Sequence, residues 1–323
     1  MKLCTFEVQT QVGRFQRLGA VTNEGIIDLS FTFEARLASE GEPRAQEVAK
    51  TILPSTMLDY LKAGDRGRFA AHEALEFSRQ SGLRHGPQGQ TLVYSMSEIK
   101  LLTPLPNPPS LRDFFAFEEH VKQGFEKRGE PMPAEWYEIP VYYKGAHHNI
   151  IGTDANVRWP SFTEKFDYEL ELAAVIGKGG RNVPSGRARQ HIAGFLVMND
   201  FSARDIQKRE MKVRLGPAKG KDWCTALGPW LVTADEIGDP YHLSMEARVN
   251  GETWSRGNSS SMHWEFEQMI EFLTQDDAIL PGDVIGSGTV GAGCGLELDR
   301  WVQRGDTIEL EVEKIGVLRN RVI

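Results

Sequence analysis

Cysteine is scarce in this chain of 323 residues: Cys4, Cys224 and Cys294 are the three present, and none falls in a C-x-x-C pair. An odd number of widely spaced thiols fits a reducing compartment and argues against a thiolate zinc site. Long apolar runs are missing too. None approaches the roughly 18–20 residues a membrane helix needs, and Ala173–Ile176 is typical of the runs present. The opening Met-Lys-Leu-Cys-Thr-Phe-Glu lacks the apolar core of a signal peptide, so cytoplasm is the expected location. Positive charge is in deficit, with a net charge of −8 and a pI near 5.6. That leaves no basic footprint for nucleic acid and no attraction to anionic lipid. The remainder, 40% hydrophobic and 25% charged, is the composition of a folded globular chain.

Proline marks the organisation. Four prolines fall within six residues from Pro104 to Pro109, an extended connector that neither a helix nor a central strand accommodates. It places a boundary between a small N-terminal unit, residues 1–103, and a larger unit, residues 104–323. In the first unit Leu3–Val8, Arg17–Val21 and Gly25–Asp28 read as strands, and Ser55–Ala63 and Arg68–Ser78 as helices. In the second, Tyr168–Ile176 alternates before turning apolar, and Ile192–Met198 is continuously apolar, as a strand buried on both faces would be. Asn250-Gly251 between Met245–Val249 and Glu252–Ser255 signals a tight hairpin. Trp264–Leu273 reads as an amphipathic helix, and Val284–Ile285, Leu296–Leu298 and Thr307–Val312 as further strands. The expected class is α+β, mainly β.

Four segments carry candidate chemistry, and each also has a plain structural reading. In Asp167-Tyr-Glu-Leu-Glu-Leu172 the two glutamates share one strand face. They repel unless water or a hard cation lies between them, so the face is either solvated or a metal site. The strand before Asn199-Asp200 stops abruptly, and Ser202 with Asp205 resembles a capping box opening a helix. Asp200 there is either a turn residue or part of a site. Phe114, Phe117, Val121 and Phe125 fall at helical spacing, predicting a helix from about Ser110 that puts Asp113 and His120 on one face. Finally, five glycines in ten residues from Gly286 to Gly295 allow close backbone approach to a ligand, or form a flexible surface loop. No Gly-Lys-Ser/Thr follows, which argues against a nucleotide.

Taken together and in order, Asp113…His120, Glu169-x-Glu171, Met198-Asn-Asp-Phe-Ser-Ala-Arg-Asp-Ile-Gln207, Gly220-Lys-Asp-Trp-Cys-Thr225, Ser287-Gly-Thr289 and Leu296-Glu297 resemble the fumarylacetoacetate hydrolase family. The likeness spans about residues 105–323. It implies a mixed β-sheet roll behind a small N-terminal α/β domain, a homodimer, and a Mg²⁺ ion (Mn²⁺ or Ca²⁺ as alternatives) held by Asp113, Glu169, Glu171 and Asp200. It implies His120 as general base oriented by Glu297, with Lys221 and Thr225 counted in the metal site beside the developing oxyanion and Lys221 also catalytic. Tyr143, Gln207 and Thr289 match substrate-contacting positions. His147 and His148 fall outside this pattern and read as rim or surface.

The implied activity is hydrolysis of a carbon–carbon bond in a 1,3-diketo or acylpyruvate-type acid. Histidine, ordinarily titrating near pH 6.5, would take a proton from water, and Lys221 would stabilise the oxyanion. Phe115 and Met211 stand where the tyrosine-degrading member carries tyrosines, and Gln123 where the acylpyruvase branch has a glutamate, which leaves the substrate open. Tautomerase, decarboxylase or hydratase chemistry on a 2-oxo acid enolate is the alternative; a keto-acid or metal-binding protein without turnover is the non-enzymatic one.

Overall fold

A computed structural model describes the whole chain, Met1–Ile323. Its centre is the strand Leu170–Ile176, in which all seven residues are buried. On one side it pairs antiparallel with Ile192–Asn199, which pairs with Thr225–Thr233. On the other it pairs with Val284–Gly286, which runs parallel to Leu111–Phe114, and Tyr142–Gly145 closes that edge.

Burial on both faces follows from what covers each. Leu170, Leu172, Ala174 and Ile176, with Phe195 and Val197, pack against a five-stranded sheet through Met245, Ala247, Leu310 and Val312. The alternate residues Ala173 and Val175, with Leu196 and Met198, pack against Leu3, Leu29, Phe33, Leu53 and Leu61 of the N-terminal region. A strand covered on two sides has no polar face to display, which is why its sequence is an apolar run.

The N-terminal strands prolong the same sheet, because Lys2–Thr10 pairs with Thr225–Thr233 through Lys2↔Val232 and Leu3↔Leu231. Helices Leu29–Ser39, Ala45–Ile52 and Met57–Ser81 lie in this region, and the sequence patterns signalled only the last. Within it Gly64, at φ 60° and ψ −138°, kinks the helix between the two predicted pieces.

Asn250 and Gly251, at φ 52° and 81°, turn the expected hairpin between Ser244–Val249 and Glu252–Asn258. The helix predicted over Trp264–Leu273 is found at Phe266–Thr274. Three local expectations are corrected. Leu111–Phe114 is a strand, not the start of a helix, because it hydrogen-bonds to neighbours on both edges; helix begins only at Glu118. Long-range sheet pairing overrides a helical spacing of aromatics. Leu296–Leu298 belongs to a helical turn, Gly295–Leu298. Ser202 caps nothing: it sits in a short strand, Ser202–Ala203, paired with Phe166–Asp167 ahead of helix Arg204–Lys212.

Pairing also sets what shares a face. Asp113 is in register with Gly286 on one side and Tyr143 on the other, and Gly286 with Ala173, two residues from Glu171. A β-carbon on Gly286 would run into Asp113 Oδ1 and come within 2.7 Å of Met198 Cε. The bare glycine therefore leaves the gap through which carboxylates from strands two apart can meet. Gly286→Ala is expected to cost about 1–3 kcal/mol by overpacking. An unchanged denaturant midpoint would contradict this reading.

Candidate metal centre and proton-transfer pair

Asp113, Glu169, Glu171 and Asp200 are all buried and each offers an oxygen within 4.8 Å of the others. Asp113 comes from Leu111–Phe114, Glu171 from the central strand, Glu169 from the extended segment just before it, and Asp200 from the end of Ile192–Asn199. Backbone and side-chain donors hold them in place. Gly288 N–H donates to Asp113 Oδ1 at 3.1 Å, and Tyr143 Oη–H to Asp200 Oδ2 at 2.6 Å. Thr289 Oγ1 lies 3.5 Å from Glu171 Oε1.

Charge is unevenly matched. Lys221 Nζ donates to Glu169 and, at 2.6 Å, to Asp200. Arg204 Nη2 lies 2.8 Å from Glu169 Oε1. Burial alone would raise the Glu169 carboxyl, but Lys221 and Arg204 outweigh it and hold Glu169 at about 2. Asp113 and Glu171 are pushed well above the usual carboxylate range by burial and then by neighbouring carboxylates. Burial also raises Asp200, against the pull of Lys221. Two buried oxygens, Glu171 Oε2 and Asp200 Oδ1, have no hydrogen-bond partner. Buried orphan acceptors in an all-oxygen cluster fit a hard divalent cation such as Mg²⁺, Mn²⁺ or Ca²⁺.

Lys221 is a neighbour of these carboxylates rather than a further candidate ligand, which corrects its expected place in the metal site. Burial alone would lower the pKa of its ammonium, but Asp200 and Glu169 outweigh burial and raise it, and an ammonium has no lone pair for a cation. Thr225 is buried at the start of its strand, with its N–H on Asn149 O at 3.1 Å and no hydroxyl bond to the carboxylates. Gln207 Oε1 accepts from Arg204 Nη1 at 3.0 Å. His147 Nδ1 is 2.8 Å from Pro108 O, and neither it nor His148 joins the acidic cluster.

A second group adjoins the first, because Glu169 and Cys294 form an antiparallel backbone bridge. His120, buried in helix Glu118–Glu126, has Nδ1 3.1 Å from Glu297 Oε1, at ion-pair distance but off a hydrogen-bond line. Glu297 sits in the turn after the glycine-rich loop, where Ala292 N–H donates to Oε1 at 3.2 Å and Cys294 Sγ–H to Oε2 at 3.2 Å. Burial would raise the Glu297 carboxyl, but the adjacent His120 imidazole and the Cys294 and Ala292 donors outweigh it and lower it. Burial pushes the Cys294 thiol well up, so it serves as a donor and not as a thiolate ligand. The segment carrying His120 is tied down by Trp136 Nε1–H on Phe115 O at 2.7 Å.

Sequence reasoning passed over Asp167, Arg204 and Cys294, although all three lie inside quoted motifs. An arginine next to an apolar strand and a short β segment needs a buried carboxylate, and Asp167 stands at the head of the glutamate motif; that was the available signal.

The raised carboxyls give a pH dependence. A carboxyl whose folded pKa lies above its unfolded value adds stability at low pH, and that contribution is lost as pH rises through the folded value. Without cation, Asp113, Glu171 and Asp200 therefore destabilise the fold as they ionise. A cation must displace their protons, so affinity should rise with pH and binding should release protons. Calorimetric Mn²⁺ titration at a series of pH values, each in two buffers of unequal ionisation enthalpy, is expected to show net proton release that grows as the pH is lowered. Buffer-independent heats would contradict it.

A family model described as "Fumarylacetoacetate (FAA) hydrolase C-terminal" matches residues 111–323. The chain is 33% identical over 273 residues to the human protein named "Oxaloacetate tautomerase FAHD2A, mitochondrial", covering 84% of this chain and 81% of that one. It is 31% identical over 274 residues to "Oxaloacetate tautomerase YisK" of Bacillus subtilis, covering 84% and 87%. Among solved structures, the fumarylacetoacetate hydrolase of Exiguobacterium antarcticum superposes with TM-score 0.69 at 23% identity, over 99% of each chain. The fumarylpyruvate hydrolase of Pseudomonas aeruginosa, in complex with Mn²⁺ and pyruvate, gives 0.58 at 24% identity, over 69% of this chain and 91% of that one. With its buried carboxylate cluster, the family model from Leu111 to the C-terminus and relatives above 30% identity over most of its length, the chain belongs to the fumarylacetoacetate hydrolase family.

Proposed function

We propose that this chain is a divalent-cation-dependent tautomerase of a short 2-oxo dicarboxylic acid, with oxaloacetate as the reference substrate. The observation that carries the reading is a four-carboxylate cluster with orphaned oxygens adjoining a buried His–Glu pair. The names of relatives at 31–33% identity point to the same reaction.

Asp113, Glu169, Glu171 and Asp200 would hold the cation, whose chemistry is to polarise a chelating carbonyl. The chain's own residues then move one proton. His120 takes it from the carbon next to the carbonyl, and Glu297 fixes the imidazole's orientation and stabilises its charged form. Lys221, kept charged by Asp200 and Glu169, supplies a fixed cation for the oxygen that gains electron density. Returning the proton to that oxygen completes the enol, with no bond between carbons broken. Tyr143, Gln207 and Thr289 would orient the acid.

Hydrolysis of an acylpyruvate-type substrate is the second reading. The same His120–Glu297 pair could take its proton from water, and the Pseudomonas structure of this fold holds Mn²⁺ with pyruvate, a fragment of such a substrate. Product mass separates the two: tautomerisation conserves mass, while hydrolysis adds water and yields two fragments. A homodimer is part of the proposal, and light scattering at micromolar concentration tests it.

Loss of the oxaloacetate enol absorbance, with substrate mass intact, is the assay. His120→Ala should lower turnover by about 10²-fold or more. Glu297→Gln should lower it too, and the double variant should lose no more than the worse single one, because the pair acts as a unit. A His120→Ala protein with wild-type turnover would remove His120 from the mechanism.

A further inference from the structure

The mechanism leaves one buried charge unused. Asp167 has no exposed surface, yet it touches neither the other carboxylates' shared space nor His120 in any hydrogen bond. Its oxygens accept four donors from three parts of the chain. Arg204 Nε–H reaches Oδ2 at 2.7 Å, and its neighbour Tyr168 N–H reaches Oδ1 at 2.9 Å. Gly295 N–H reaches Oδ1 at 2.8 Å and Leu296 N–H reaches Oδ2 at 3.0 Å, from more than 120 residues along the chain.

Each partner leads to a different half of the site. Arg204 carries on to Glu169 Oε1 through Nη2 at 2.8 Å and to Gln207 Oε1 through Nη1 at 3.0 Å. The amides of Gly295 and Leu296 belong to the turn that presents the next residue, Glu297, to His120. Closeness here is independently enforced. A β-carbon on Gly295 would fall 2.6 Å from Asp167 Oδ1 and run into Arg300 O, so only glycine lets the turn reach the carboxylate.

We infer that Asp167 is a positioning residue that locks the cation-binding Glu169 and the proton-transfer Glu297 into one register, through Arg204 on one side and the Gly295–Leu296 amides on the other. Neutralising Arg204 alone would not require two backbone donors from the opposite loop. A single carboxylate shared by both arms makes the geometry of one depend on the other.

The inference rests on the proposed roles of Glu169 and Glu297, and its test uses two readouts on the full chain: Mn²⁺ affinity by electron paramagnetic resonance, and the pH profile of kcat at saturating Mn²⁺. Glu297→Gln should change the kcat profile and leave Mn²⁺ affinity alone. Arg204→Lys should weaken Mn²⁺ by about 10–100-fold, the usual cost of losing a partner that orients a metal ligand. Asp167→Asn should do both: weaken Mn²⁺ to a similar degree and change the kcat profile in the way Glu297→Gln does. An Asp167→Asn protein altered in one readout and wild-type in the other overturns the coupling. If that variant does not fold, Gly295→Ala enters from the Glu297 side. Its β-carbon must displace the Asp167 carboxylate and so weaken Mn²⁺ binding; unchanged Mn²⁺ affinity in Gly295→Ala overturns the inference. A wild-type protein that binds Mn²⁺ but leaves oxaloacetate untouched contradicts the tautomerase reading instead, and the Mn²⁺ affinity of Gly295→Ala then decides the coupling.

Discussion

Mutual repulsion among four buried carboxylates is the constraint around which this molecule is arranged. Two such charges a few ångströms apart away from water repel by several kcal/mol even at an effective dielectric constant of about 20. Lys221 and Arg204 relieve Glu169, and Lys221 also relieves Asp200. Asp113 and Glu171 receive no cationic side chain in direct contact, and burial with the neighbouring carboxylates pushes both well above the usual carboxylate range. The cluster therefore has room for one more positive charge, and its oxygen-only chemistry specifies a hard ion. The sheet makes the crowding possible, since register brings Asp113, Gly286 and the central strand side by side.

Much of this was readable from the chain. Period-two spacing put Glu169 and Glu171 on one face, and the apolar run before Asn199 gave a doubly covered strand ending at Asp200. Both readings depend on local pattern alone, and local pattern survived folding. What failed was local inference where the outcome was decided at long range. The aromatic spacing around Phe114 and Phe117 reads as helix, but strand pairing to residues about 30 and 170 positions away along the chain claimed Leu111–Phe114. Asp113 and His120 consequently lie on different elements, and their joint presence at the site comes from topology, not from a shared helix face. Ser202 and Asp205 look like a cap because capping boxes are defined by spacing. In the fold Asp205 accepts instead from Thr163 and from Glu164 N–H, contacts no spacing could reveal.

The N-terminal region illustrates the same limit. The proline-rich stretch after Leu102 is a true change in chain character, yet strand Lys2–Thr10 crosses it to join the large sheet, and its helices cover the face that carries Ala173, Val175, Leu196 and Met198. Asp113, Glu171 and Asp200 lie on the same side by alternation. The N-terminal region thus packs on the same face of the sheet from which the carboxylates project, and this gives it a place in the site's geometry without a catalytic residue of its own.

Asp113, Glu169, Glu171 and Asp200 are proposed to bind one divalent cation between them. Crystals grown with Mn²⁺ and measured at the manganese absorption edge test it directly. A single anomalous peak per chain is expected within about 2.0–2.6 Å of an oxygen from each of the four carboxylates. A peak elsewhere, or none at saturating Mn²⁺ with the four side chains ordered, would contradict it.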